Sequence, residues 1–158
     1  MNRTYIGIDP GQKGALACLF PNGSILSFPM PMVGKDLDCQ RLLQFIEARR
    51  SPERMLVAVV EKVGALPKEA AGGAFTFGRG YGTILGILAA LRIRTELVAP
   101  QRWKGAVLAD TDKSKEAAIA WVRRAYPEAA LVLPGCRKPH DGIADAICLA
   151  EYGRRTYQ

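Results

Sequence analysis

The feature that most constrains the fold of this chain is an unbroken apolar run near the middle of its sequence. Met55 to Val60 reads MLVAVV, is rich in β-branched residues and ends at a lone acid, Glu61. A continuous run of this kind is typical of a strand buried on both faces, because a strand with one wet face alternates apolar and polar residues. A sheet covered on both faces needs helices on both sides, so the run indicates a layered α/β domain.

The sequence on either side of this run predicts the remaining strands and helices. Turns at 10–11 and 21–23 link the first strands as hairpins, and the last strand alternates as an edge strand does. The predicted strands span 4–9, 14–20, 24–28, 55–60 and 93–98. Four helices are predicted. The first begins after a cap at Asp36 or Asp38, the second spans 83–91, the third begins after a cap at Asp112 or Ser114, and the fourth spans 141–153. This order predicts an α/β fold with a mixed five-stranded sheet flanked by helices on both faces, in one domain over 1–158.

The charge balance indicates an affinity for polyanions. The chain has 22 Lys and Arg against 15 Asp and Glu, a net charge of +7. A basic surface of this kind suits contacts to the phosphate backbone of nucleic acids. If the four acids discussed below bind metal, the rest of the chain has 22 positive against 15 − 4 = 11 negative residues, or +11.

Composition and cysteine usage predict a cytosolic protein, from a bacterial or phage-infected cell. The longest run of apolar and small residues, 82–91, is too short to span a bilayer, and the N-terminus shows no signal segment. The four cysteines form no CxxC pair, which favours reduced thiols.

Four carboxylates lie where a fold of this kind collects its site residues. Asp9 and Glu61 each end an apolar run, and acids at the C-terminal ends of strands face the crevice where open α/β sheets bind ligands. Asp141 and Asp145 are four residues apart on the last helix, so they share a face and repel unless a cation lies nearby. Oxygen ligands with a single histidine, His140, suit Mg²⁺ or Mn²⁺ rather than Zn²⁺. Two such ions about 3.5–4 Å apart can hold the attacking and leaving oxygens of a phosphodiester.

Each acid also has a simpler interpretation. Asp9 precedes Pro-Gly and can be a turn residue, and Glu61 can be an ordinary acid at a strand exit. Asp141 can be the cap of the last helix, and Asp145 can be solvated. The argument for a metal site rests on all four acids occurring together.

Five segments resemble the RuvC family of Holliday junction resolvases. They are GIDPGQKGALA (7–17), VVEK (59–62), PQRWKGAVL (100–108), DKSKEAA (112–118) and HDGIADAICLA (140–150), in the family's order and spacing over most of the chain. GIDPG alone is shared with actin-like ATPases, whereas its combination with a strand-end Glu and HDxxAD is far more specific. The spacing of four between the last two acids, where cellular bacterial members have three, is more like phage, poxviral or chloroplast relatives.

The resemblance implies an RNase H-like fold and a homodimeric endonuclease. Its expected reaction is the resolution of four-way (Holliday) DNA junctions by paired symmetric nicks that leave 5′-phosphate and 3′-hydroxyl ends. It implies two Mg²⁺ ions per site, with Mn²⁺ as a substitute. The metal-binding catalytic acids would be Asp9, Glu61, Asp141 and Asp145. Lys104 and Lys113 would lie near the scissile phosphate, although both can also be solvated lysines.

The glycine-rich stretch from Gly64 to Gly82 is predicted to be flexible. Its side chains Phe75, Phe77, Arg79 and Tyr81 can stack on opened bases while the cation meets phosphate, or can form a lid that packs into the core. Further phosphate contacts are expected from Lys115, Arg137 and Lys138.

The helix predicted at 83–91 is apolar on nearly every side and therefore favours a homodimer, in which a second copy covers its outer face. Alternatively, other segments of the same chain cover it. Trp103 and Trp121 are interpreted as packing residues.

Three other functions compete with junction resolution. A less selective nuclease of the same fold would act on branched DNA or RNA–DNA hybrids. An actin-like ATPase would need two lobes, for which the chain is short. A catalytically silent DNA-binding module would have no use for clustered carboxylates, which repel DNA.

Overall fold

The chain forms a five-stranded mixed sheet between two layers of helices in a computed structural model that describes residues 2–64 and 71–157. The sheet strands are β1 (Arg3–Asp9), β2 (Ala15–Leu19), β3 (Ile25–Pro29), β6 (Met55–Glu61) and β7 (Arg94–Val98), and a small separate sheet pairs β4 (Met32–Val33) with β5 (Asp36–Leu37). The helices are α1 (Cys39–Glu47), α2 (Ala71–Ala90), α3 (Pro100–Val107), α4 (Lys115–Ala125) and α5 (Asp141–Thr156).

The strand order of the main sheet is β3-β2-β1-β6-β7. The first three strands pair antiparallel as hairpins, whereas β6 runs parallel to β1 and to β7. β1, β6 and β7 therefore all end at the same edge of the sheet, which we call the carboxyl edge. The predicted mixed sheet is confirmed, with β7 as an edge strand.

The sheet is buried on both faces, as the apolar run predicted. In β1, Ile6 and Ile8 pack with Leu42 of α1 and Leu88 of α2. The opposite face packs against α3, α4 and α5, where Val59 of β6 joins a second core cluster. Alternate residues of the same strand thus enter different cores, because successive side chains of a strand point to opposite faces.

Helix α5 lies against the sheet backbone to backbone. A Cβ atom on Gly7 of β1 would be 1.9 Å from the carbonyl oxygen of Ala146, and one on Gly142 would be 2.4 Å from the carbonyl oxygen of Lys13. Only glycine allows such an approach. The N-terminal turn of α5 therefore lies against the turn that follows β1.

Helix α2 differs most from the sequence expectation. The flexible stretch predicted for 64–82 is wrong for 71–82, which is helical from Ala71 onward, while 65–70 lie outside the described residues. Glycine disfavours helices by up to about 1 kcal/mol per residue. Here that cost is offset by packing, because Tyr81, Ile84 and Leu88 join the core beside α1.

Smaller differences have equally local causes. The caps of α1 and α4 are Asp38 and Ser114, each accepting a backbone N–H three residues on. Helix α5 continues past Gly153, which packs closely against Val59 and Tyr5 and so serves contact with the sheet instead of ending the helix.

The predictions about membranes and thiols can be compared with the described residues. None of the helices there has the length and apolarity to cross a membrane. Cys18, Cys39, Cys136 and Cys148 are all free in the structure, and the reduced-thiol interpretation stays a prediction.

Candidate active site

The carboxyl edge of the sheet collects the acids that the sequence singled out. Asp9 ends β1 and Glu61 ends β6, while Asp141 and Asp145 lie on the first turns of α5. The close packing at Gly142 brings the start of α5 against the turn after Asp9. The backbone N–H of Gly11 donates to Asp9 Oδ1 at 3.3 Å, which fixes this carboxylate within its turn.

Mutual repulsion and burial raise the proton affinity of two of these acids. Burial and, after it, the charges of Glu61 and Asp141 together raise the pKa of Asp9 to about 6, against the hydrogen bond from Gly11, which acts in the opposite direction. Burial also raises the pKa of Asp145 to about 7, with Asp9 as the next cause. The four acids thus share one electrostatic field, in which each added negative charge is costly.

Asp141 does not serve as the cap of α5. The cap is His140, whose Nδ1 accepts the N–H of Ile143 at 3.2 Å. The Asp141 carboxylate instead accepts a hydrogen bond from the ammonium of Lys115, at the start of α4, and this contact lowers the pKa of Asp141. The capping alternative is therefore wrong.

Glu61 is held from the core side by Trp103 of α3. The indole Nε1–H of Trp103 donates to Glu61 Oε2 at 2.8 Å, and the Trp103 side chain is fully buried. The Nζ of Lys104 lies 5.3 Å from the centroid of the same indole ring. Sequence reasoning had assigned Trp103 to packing alone. An indole N–H can find a polar partner when it is buried, but the sequence does not say which.

The four carboxylates have the chemistry that a hard divalent cation requires, although their side chains do not converge on one point. No group of three or more acidic, histidine or cysteine side chains within 2–64 and 71–157 is arranged to hold a metal ion. Glu61 and Asp141 are instead engaged by Trp103 and Lys115. Burial, and after it mutual repulsion, raises the pKa of Asp9 and Asp145, and a bound cation would offset both effects.

The two predicted lysines lie in different surroundings. Lys104 is half-buried, and its charge lowers the pKa of Asp145 against the effect of burial. Lys113 is exposed and has a positive φ of 59° in the turn before α4. Lys115, which sequence reasoning gave to DNA contact, is the lysine that touches Asp141.

A groove of about 520 Å³ begins beside Asp141 and runs along α4. It is lined by three basic residues, two acids and three apolar residues: Lys115, Arg123 and Lys138; Glu116 and Asp141; and Ile119, Ala120 and Pro139. Arg137 is exposed but does not line this groove. The groove brings together Lys115 and Lys138, two of the residues predicted to contact phosphate. It also includes Arg123, whereas the next residue, Arg124, lies outside it.

The aromatic residues of α2 all lie within its first eleven residues, in the helix that stands between β6 and β7 in the chain. Phe75 is 69% exposed, and Arg79 lies 5.9 Å from its ring centroid. Phe77 and Tyr81 stack with centroids 6.2 Å apart. Arg79 also forms an ion pair with Asp36.

Three solved structures share this fold over nearly the whole chain. Thermus thermophilus RuvC in complex with a Holliday junction substrate has a TM-score of 0.68 at 18% identity, over 98% of this chain and 96% of that one. A second Thermus thermophilus RuvC structure has a TM-score of 0.61 at 18% identity, over 96% of this chain and 95% of that one. The yeast mitochondrial Holliday junction resolvase Ydc2 has a TM-score of 0.60 at 13% identity, over 96% of this chain and 77% of that one. No protein-family model and no curated protein sequence matches the chain.

The mixed five-stranded sheet and its two helical layers form an α/β fold of the RNase H-like type. Within that class, the particular fold is the one shared by the RuvC structures and Ydc2. The fold predicted from the sequence is confirmed.

Proposed function

We propose that this chain is a structure-selective endonuclease that resolves four-way DNA junctions by paired symmetric nicks. The observation that carries the proposal is the convergence of Asp9, Glu61, Asp141 and Asp145 at the carboxyl edge of a RuvC-type fold. The sequence motifs and the fold point to the same activity from independent directions. The RuvC neighbour bound to a Holliday junction substrate supports junction DNA as the substrate class.

The four acids would hold the divalent ions, and the expected number is two Mg²⁺ per site. When bound, such ions lower the pKa of the attacking water and neutralise charge on the phosphate and the leaving oxygen. Asp9 and Asp145 are the acids that gain most from a bound cation. Burial and neighbouring charges raise their pKa values, and a cation would stabilise their ionised forms. Lys104 adds a positive charge beside Asp145, where it can stabilise the extra charge that develops on the phosphate.

The basic groove along α4 is the proposed path of the DNA strand that leaves the site. It begins at Asp141 and offers Lys115, Arg123 and Lys138 to a phosphate backbone, next to apolar lining residues that can contact sugars. On α2, exposed Phe75 and Arg79 are proposed to stack on unpaired bases and contact phosphate. Phe77, Tyr81, Lys113 and Arg137 remain proposed contacts on the sequence argument.

The symmetry of the proposed substrate and the outer face of α2 support a homodimer as part of this proposal. Ile84 and Leu88 are buried in the core, while Gly82, Gly86, Ala89 and Ala90 are exposed. With Gly78, the small residues recur every four positions along one face, which allows a second helix to approach closely. A two-fold axis through this face would place two sites on opposite strands of a junction.

The decisive experiment is cleavage of a synthetic four-way junction with Mg²⁺ beside a linear duplex, a three-way branch and an RNA–DNA hybrid. Paired nicks in opposite strands of the junction alone support the proposal. Equal cleavage of the branch or hybrid would assign the less selective nuclease function. Absence of cleavage with either Mg²⁺ or Mn²⁺ would reject both.

A further inference from the structure

Trp103 contacts a proposed metal ligand from within the hydrophobic core. Its side chain has 0% exposure and packs with residues of α4 and α5, so its position is fixed. Its Nε1–H donates to Oε2 of Glu61 at 2.8 Å. An indole nitrogen is a donor only, whereas a carboxylate has two acceptor oxygens. The contact therefore occupies one oxygen of Glu61 and limits the rotation of the other.

The same indole ring also contacts the cation beside Asp145. Lys104 Nζ lies 5.3 Å from the ring centroid, a distance at which an ammonium is attracted to the ring face. Trp103 thus contacts both the carboxylate of Glu61 and the ammonium of Lys104.

We propose that Trp103 is a positioning residue for metal binding, which acts by holding Oε2 of Glu61 so that the second carboxylate oxygen stays available to the ion. The inference rests on the proposed function, because it takes the acids to be metal ligands. Loss of a hydrogen-bond donor that orients a metal ligand typically lowers metal affinity or activity by about 10–100-fold. Trp103 is therefore expected to affect metal affinity without touching the metal.

The test compares two Trp→Phe variants by Mn²⁺ binding to the DNA-free protein, measured by calorimetry and by the EPR signal of free Mn²⁺. Trp103→Phe keeps an aromatic ring for Lys104 but removes the N–H. Trp121→Phe is the matched control, because Trp121 lies half-buried on α4 and contacts Tyr126 and Arg155. We expect about 10–100-fold weaker Mn²⁺ binding for Trp103→Phe and no change for Trp121→Phe. Wild-type affinity in Trp103→Phe would overturn the inference.

A double-mutant cycle with Glu61→Gln separates positioning from general damage to the core. If Trp103 acts through Glu61, Trp103→Phe should cause little further loss of Mn²⁺ affinity in the Glu61→Gln background. An equal loss in both backgrounds overturns the inference. Should Trp103→Phe unfold, incorporation of benzothienylalanine at position 103 keeps the ring shape and replaces N–H by sulfur. The same loss is expected there, and wild-type affinity rejects the inference.

The outcomes also separate this inference from the proposed function. A wild-type protein that binds no Mn²⁺ and cuts no junction contradicts the proposed function itself. A wild-type protein that binds Mn²⁺ and cuts junctions, with an unaffected Trp103→Phe, contradicts only the role of Trp103.

Discussion

The ammonium of Lys115 hydrogen-bonds the carboxylate of Asp141 at the edge of the acidic site. Lys115 begins α4 and Asp141 begins α5, so the pair joins the two helices that border the basic groove. The contact lowers the pKa of Asp141 and raises that of Lys115. A divalent ion that uses Asp141 must therefore compete with Lys115, whereas Asp9 and Asp145 gain directly from an added cation.

This difference predicts unequal effects of neutralising the acids. We expect Asp9→Asn, Asp145→Asn and Glu61→Gln to abolish cleavage while junction binding persists, because lysine and arginine contacts supply most of the affinity. Asp141→Asn should reduce the rate less, since its side chain is 38% exposed and its charge is matched by Lys115. Single-turnover cleavage and gel-shift assays measure the two quantities separately. Full cleavage by Asp9→Asn would reject the site.

Metal-free protein should become less stable as the pH rises from about 4 to about 7. The pKa values of Asp9 and Asp145 in the folded chain, about 6 and about 7, lie above the ordinary 3.8. In this window the folded chain keeps protons that the unfolded chain has lost, so stability falls with rising pH.

Asp145→Asn removes part of this penalty. It should raise the unfolding free energy at pH 8 by on the order of 1–2 kcal/mol and change it little at pH 4. Thermal melts in EDTA at the two pH values measure the effect, and Mg²⁺ should stabilise the wild type more at pH 8 than at pH 5. An equal gain at both pH values would contradict this account.

The groove along α4 predicts that neighbouring arginines differ in their effect on DNA binding. Arg123 lines the groove and Arg124, the next residue, does not. Arg123→Ala should weaken junction binding and reduce the slope of log affinity against log salt by about 1. Arg124→Ala removes the same charge and serves as the control. Equal losses in the two variants would mean that net charge, rather than the groove, carries the effect.

The exposed face of α2 predicts that a bulky charged residue there produces a folded monomer. A Cβ on Gly86 would meet nothing within 4 Å, so Gly86→Arg should fit the monomer and even favour the helix. Light scattering should report a dimer for wild type and a monomer for Gly86→Arg, whose nicks would occur independently. Gln44→Arg, on the exposed side of α1, is the charge control. A wild-type monomer that still makes paired cuts would refute the symmetry argument.

Glu151 is expected to stabilise the fold without affecting chemistry. Its side chain is 2% exposed and accepts hydrogen bonds at 2.7–2.8 Å from Arg154, Arg155 and Tyr126. Burial alone would raise the pKa of Glu151, but these donors hold it below its usual value. Its contribution is therefore present at neutral pH and lost as the pH falls below about 4.

Glu151→Gln should lower the unfolding free energy by about 1–3 kcal/mol at pH 7, with a smaller effect near pH 3. Urea titrations measure the loss, and exposed Glu47→Gln is the control. Cleavage by the folded variant should equal that of wild type, because Glu151 lies in the half of α5 away from Asp141.

Much of the sheet could be predicted because its strands are marked locally, by apolar runs and by Pro-Gly turns. Helix α2 could not, because its glycines oppose helix formation and only contacts with the core, at Ile84 and Leu88, decide its structure. The same holds for Gly153, which resembles a helix stop in the sequence but is required where α5 meets Tyr5.

The acids of the site could be predicted from strand ends and helical spacing, whereas their partners could not. The hydrogen bond of Trp103 to Glu61 joins residues 42 positions apart, and Lys115 reaches Asp141 across 26. No local pattern encodes such distances. Which of Lys113 and Lys115 contacts Asp141 depends on the turn before α4: Lys113 lies in the turn, and Lys115 follows it as the first residue of the helix. The sequence alone does not predict this difference.

The main-chain contact between β1 and α5 at Gly7 predicts a preference for ions of one size. At Gly7 the two backbones meet so closely that a methyl group would lie 1.9 Å from the oxygen of Ala146. Asp9 follows Gly7 by two residues and Asp145 precedes Ala146, so this main-chain contact lies close to both acids along the chain. Oxygens lie about 2.1 Å from Mg²⁺ and about 2.3–2.6 Å from Ca²⁺. We therefore expect the proposed site to bind Mg²⁺ in preference to the larger Ca²⁺, because main-chain contact at Gly7 limits how far β1 and α5 can separate.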